Sequence, residues 1–107
     1  MRVGSTIHVS GMVGIDPLTG QLAGASIQSQ TTQALRNCAS VPEAAGCTLD
    51  DVAMVTVLLA HPGDFAGMNE AYAAVFDADP PARAVDRLGP ELPGVLVSIA
   101  LTAHVGR

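Results

Sequence analysis

Val52-Ala53-Met54-Val55-Thr56-Val57-Leu58-Leu59-Ala60 contains no charged residue and only one hydroxyl. A short apolar run of this kind, closed by the turn residues His61-Pro62-Gly63, predicts a strand covered on both faces. Just before it, Thr48-Leu49-Asp50-Asp51 has the spacing of a capped single turn, with Asp51 three residues after Thr48. Just after it, Asp64 is placed to cap a helix. Phe65, Met68, Tyr72, Val75 and Phe76 fall on one face of that helix, and Pro80-Pro81 forbids its continuation. Ala82 to Leu88 then reads as a second, shorter strand.

Toward the N-terminus, Thr6-Ile7-His8-Val9-Ser10 alternates polar and apolar residues, the pattern of a half-buried strand. Met12 to Ile15 continues extended beyond Gly11. Asp16-Pro17-Leu18-Thr19-Gly20 places Asp, Pro and Gly at turn positions, and Gln21-Leu22 leads out of the turn. Ser26 is a natural N-cap for a helix reaching about Ala45. Its buried stripe is Ile27, Thr31, Ala34, Leu35, Cys38, Val41 and Ala45. Gly46 suits a left-handed C-cap. Pro42 removes a hydrogen bond and crowds the preceding turn, which predicts a kink or an early end near Ser40. Gly89-Pro90 and Leu92-Pro93-Gly94 mark a loop, and Val95 to Val105 is the last strand.

The order is strand–strand–helix–strand–helix–strand–strand. It predicts one α+β domain over residues 1–107, a mixed sheet with both helices on one face. Two helices cannot cover both faces of such a sheet, so its second face is expected to meet another subunit. Composition agrees: hydrophobic residues are 49% of the chain and charged residues only 14%, against roughly 25% charged in an average domain. The net charge is −5 and there is no lysine. Phosphate backbones are bound by clustered cations, so a nucleic-acid partner is not expected. No apolar run reaches the roughly 20 residues needed to span a bilayer, and a cytoplasmic location is expected. Cys38 and Cys47 lack zinc-ligand spacing and read as buried or ordinary thiols. His8, His61 and His104 are too scattered to suggest paired imidazoles.

Several segments in order resemble the YjgF/RidA family, also labelled endoribonuclease L-PSP. They are Val9-Ser10-Gly11, Asp16-Pro17-Leu18-Thr19-Gly20, Gln30-Thr31-Thr32-Gln33-Ala34-Leu35-Arg36-Asn37, Ala44-Ala45-Gly46, Asp51-Val52, Asp64-Phe65, Met68-Asn69-Glu70-Ala71-Tyr72 and Pro81-Ala82-Arg83. Together they span nearly the whole chain. The resemblance implies a chorismate-mutase-like fold and a homotrimer with clefts between protomers. It also implies hydrolysis of enamines and imines to ketoacids and ammonia, with neither metal nor organic cofactor.

That chemistry needs a carboxylate held, a water placed and a nitrogen protonated. The planar guanidinium meets a carboxylate with two parallel hydrogen bonds, and Arg83 matches the family's substrate-binding arginine. Its alternative is a surface arginine paired with Asp86 or Glu91. Asn69 matches a cleft asparagine, whose alternative is a solvated helix position or a tertiary hydrogen bond. Ser10 and Gly11 match a pocket-lining backbone segment, with Gly11 alternatively a strand bend, and backbone near Val85 completes the cleft.

Two departures from the family pattern matter. Val97-Ser98-Ile99-Ala100 stands where Val-Glu-Ile-Glu is common, so Ser98 takes the place of a glutamate that positions water. A hydroxyl can hold water but is not a base near neutral pH. The family's opening strand also has no counterpart. This predicts a coding start upstream of Met1, or a trimmed chain, and an open edge on the strand Thr6–Ser10. Three functions follow: an imine deaminase, a catalytically inactive carboxylate-binding member of the same fold, and an endoribonuclease or translation inhibitor.

Overall fold

The computed structural model describes residues 1–77 and 80–106. Its elements are β1 (Arg2–Val3), β2 (Thr6–Val13), β3 (Ile15–Asp16), β4 (Gln21–Leu22), α1 (Ile27–Glu43), β5 (Val52–Leu59), α2 (Phe65–Val75), β6 (Ala82–Arg87) and β7 (Val97–His104). The main sheet has the order β1-β2-β7-β5-β6, and β3 and β4 form a separate two-stranded hairpin. All neighbours in the main sheet are antiparallel except β5 and β6. A parallel pair needs a crossover, and α2 supplies it.

Side-chain alternation divides the sheet into two faces. Ile7 and Val9 of β2, Val55, Val57 and Leu59 of β5, and Val97, Ile99, Leu101 and Ala103 of β7 are buried. They form one core with Ala34, Leu35 and Cys38 of α1 and Met68 and Tyr72 of α2. The opposite face is open. Met54 is 36% exposed, and Thr56 and Leu58 are partly exposed. Coverage of Val52–Ala60 on both faces is therefore not met within one chain. The helices bury one side, and alternation leaves the other uncovered.

Local chemistry fixes the helix ends. Ser29 N donates to Ser26 Oγ at 3.1 Å, the expected N-cap bond. The single turn Leu49–Asp51 is closed by Thr48 N donating to Asp51 Oδ2 at 2.8 Å. Gly46 has φ +84° at the end of α1, the left-handed conformation that glycine adopts without strain.

Some expectations are corrected. Helix α1 does not end near Ser40 but continues through Pro42 to Glu43. Pro42 lies in the last turn, where it deletes one hydrogen bond rather than breaking a continuing ladder. It is buried, and its carbonyl accepts from Ala45 N and Cys47 N, each at 3.0 Å. Val41 faces out at 37% exposure, and the buried set includes Gln30, Ala39 and Pro42. Phe65 leaves the core stripe of α2 and is 44% exposed.

The edge of Thr6–Ser10 is not fully open. Arg2 and Val3 pair with Ile7 and Thr6, and His8 N donates to Met1 O at 2.7 Å. Met12 and Val13 belong to the same strand as Thr6, with a register shift between Val9 and Met12. The last strand starts at Val97 rather than Val95.

Candidate functional site

The expected site residues fall into two groups. The first gathers at the β6 edge of the sheet. Arg83 pairs in register with Val55, which pairs with Leu101, so Arg83 is on the helix-covered face. There its Nη1 donates to Oδ1 of Asn69 on α2. Its Cζ lies 4.7 Å from the Tyr72 ring centroid and 5.9 Å from that of Phe65. Phe65, Asn69 and Tyr72 are spaced four and then three residues apart, which puts all three on one side of α2. The surface pairing of Arg83 with Asp86 or Glu91 gives way to this neutral cradle.

A guanidinium has five N–H donors, and Asn69 engages one of its nitrogens. The Tyr72 ring attracts the cation without neutralising it. Burial raises the Tyr72 phenol above its ordinary range, and the Arg83 charge pulls against that rise. Val85, two residues along the same face, lines a recess of about 300 Å³ with Leu59, Pro62, Phe65, Asp86 and Arg87. Arg83 is thus held over the Tyr72 ring, with Phe65 shared between it and this hollow, an arrangement able to hold a carboxylate that carries a small side chain.

The second group lies on the other face. Ser98 pairs with Leu58, which pairs with Asp86, on the outward side of the sheet. Gly11 lies at the register shift of β2. A Cβ there would sit 2.8 Å from Ser98 Oγ, so any larger residue at this position would make the Ser98 hydroxyl turn away. Ser98 is 9% exposed. Ser10 lines a shallow outward recess of about 420 Å³ with His8, Met54, Thr56, Ala100 and Thr102, among others. Within one chain, then, Ser10, Gly11 and Ser98 are together, Arg83, Asn69 and Val85 are together, and the sheet separates the two sets.

A larger recess of about 650 Å³ surrounds the β6–β7 loop, with His61, Arg87 and Glu91 in its wall, and holds none of the expected site residues. Among the described residues, no group of three or more His, Cys, Asp or Glu is placed to hold a metal ion. No helix among them is long and apolar enough to cross a membrane. Cys38 and Cys47 are free and buried.

Sequence reading missed Tyr72 and Phe65 as partners of Arg83, because both were counted in an apolar stripe. Their spacing from Asn69 was the available signal. It also missed Gln30. That side chain is fully buried, donates from Nε2 to Gly24 O and Gly94 O, and accepts from Leu96 N at Oε1, each at 2.9 Å. It fixes the segment leading into Ser98.

The model of the family described as endoribonuclease L-PSP matches residues 1–105. The chain belongs to the YjgF/RidA family. It is 39% identical over 106 residues to the mouse protein named 2-iminobutanoate/2-iminopropanoate deaminase, covering 99% of this chain and 78% of the mouse protein. A RutC family protein of Pyrococcus horikoshii is 38% identical over 104 residues, covering 97% and 82% of the two chains.

Among YjgF/RidA structures, the E. coli YjgF gene product superposes with a TM-score of 0.91 at 32% identity, covering 100% of this chain and 85% of that one. E. coli TdcF with bound serine gives 0.90 at 30% identity, covering 97% and 84%. The sheet and paired helices are the chorismate-mutase-like α+β fold of this family.

Proposed function

We propose that this protein hydrolyses imines and enamines derived from amino acids, giving a ketoacid and ammonia. The observation that carries the reading is Arg83, held by Asn69 and Tyr72 with guanidinium donors to spare. The relatives' deaminase names support it. In this reading Arg83 grips the substrate carboxylate, and Asn69 and backbone near Val85 line the same cleft. Water adds to the C=N carbon, the nitrogen takes up a proton, and the C–N bond breaks to release ammonia. Ser98 holds the attacking water through its hydroxyl, and Ser10 and Gly11 give the ligand access to backbone.

Arg83 and Ser98 are on opposite faces within one chain, so one substrate reaches both only between copies. The open face with Met54, Leu58 and Ala100 supports burial against another subunit. In this reading the working assembly is a homotrimer with clefts between protomers, as the family resemblance implies, placed in the cytoplasm and working without a cofactor.

A second reading, a binding module without turnover, is favoured by one observation: a hydroxyl at Ser98 where a carboxylate is the usual base. RNA cleavage is disfavoured by the charge of −5 and the lack of lysine, since phosphate contacts need clustered cations. An amino-acid oxidase generating fresh imine tests the choice. The deaminase reading expects ketoacid release to speed up when the protein is added. Pyruvate binding without any acceleration would favour the silent module.

A further inference from the structure

We propose that Tyr72 is a positioning residue whose ring fixes the plane of the Arg83 guanidinium for bidentate capture of a carboxylate. This rests on the reading of Arg83 as the substrate clamp. Tyr72 is only 5% exposed, and Phe76 packs on its ring with centroids 4.9 Å apart. Arg83 Cζ stands 4.7 Å from the Tyr72 centroid, within the range of a cation–π contact. Asn69, three residues earlier on α2, binds Nη1 of the same group. One rigid helix therefore presents both a face and an edge contact to the guanidinium. A planar fork held this way loses less freedom on meeting a carboxylate.

The Tyr72 hydroxyl is buried and has no hydrogen-bond partner among the described residues. It cannot reach a ligand at the surface, so Tyr72 acts on substrate only through Arg83. The ring, rather than the hydroxyl, is the working part. Tyr72→Phe should therefore behave as wild type in binding, although a buried tyrosine commonly depends on a partner for its hydroxyl.

The test measures pyruvate dissociation constants for the purified full chain and its Tyr72→Phe, Tyr72→Leu and Arg83→Ala variants. Tyr72→Phe is expected within about twofold of wild type, Tyr72→Leu at least about fivefold weaker and Arg83→Ala at least about tenfold weaker, the scale of a lost cation–π contact and a lost charge-assisted pair. Wild-type affinity in Tyr72→Leu, with Arg83→Ala weakened, overturns the role of Tyr72 and leaves the clamp standing. Equal weakening in Tyr72→Phe and Tyr72→Leu overturns it too, by making the hydroxyl responsible. Wild-type affinity in Arg83→Ala removes the clamp itself. Should Tyr72→Leu fail to fold, the wild-type proton spectrum decides: ring current from Tyr72 must shift the Arg83 Cδ protons upfield, and unshifted resonances contradict the stack.

Discussion

Asn69 Oδ1 accepts a hydrogen bond from Arg83 Nη1, tying the middle of α2 to the edge strand β6. The amide is a neutral acceptor, so it orients the guanidinium and leaves its positive charge for a ligand. An aspartate side chain at this position would instead supply a competing carboxylate. Asn69→Asp is therefore expected to weaken pyruvate binding at least about tenfold, and more than Asn69→Ala does, because a charged acceptor holds the guanidinium far more strongly than a neutral one. Calorimetric titration of both variants checks the order.

Ser98 is the position where chemistry and family pattern diverge. A positioned acid–base group contributes about 10²–10⁴-fold in rate. Ser98→Glu is expected to raise kcat for imine hydrolysis at least about a hundredfold, the lower end of that range, while Ser98→Ala changes binding of pyruvate little. Steady-state assays on freshly generated imine measure both. No gain from the glutamate would mean that protons are handled elsewhere in the cleft.

Gln30 carries the segment that enters β7. Gln30→Leu removes its three bonds and leaves the Leu96 N–H and two carbonyls to find other partners. The expected loss is about 2–4 kcal/mol of stability. Urea unfolding of the variant should show a lower midpoint with an unchanged slope.

Cys38 gives a pH signature. Burial pushes its thiol up to about 12 from 9.0, and its Sγ–H donates to Ile99 O at 3.2 Å. The unfolded thiol ionises first, so its share of the stability is intact below about pH 9 and is lost as pH rises toward 12. Cys38→Ala should flatten the fall in stability across that window. A thiol reagent should modify Cys38 quickly only after denaturation, which mass analysis of labelled peptides can follow.

Much of the architecture was readable because the signals are local. The apolar run at β5, the Ser26 cap, the Gly46 stop and the Pro80-Pro81 barrier each act within a few residues. Pairing of Arg2 and Val3 with β2 was not readable, since two residues carry no periodicity. Pro42 misled because its effect depends on whether the helix has further to run. Arg83 and Asn69 could be named from their motifs, but their bond depends on where α2 lies against β6. The separation of Arg83 from Ser98 depends on sheet register, which is set by long-range pairing. Tyr72 looked like core, and it is core on the side facing Phe76.

The capture of a carboxylate by Arg83 in an imine-hydrolysing cleft is tested most directly by ketoacid release from freshly formed imine, comparing wild type with Arg83→Ala. Wild type should accelerate release, and the variant should lose at least about a hundredfold in kcat/KM while remaining folded, as expected when a bidentate charge-assisted clamp is removed. Equal rates for the two proteins, or no acceleration by wild type, would contradict the account.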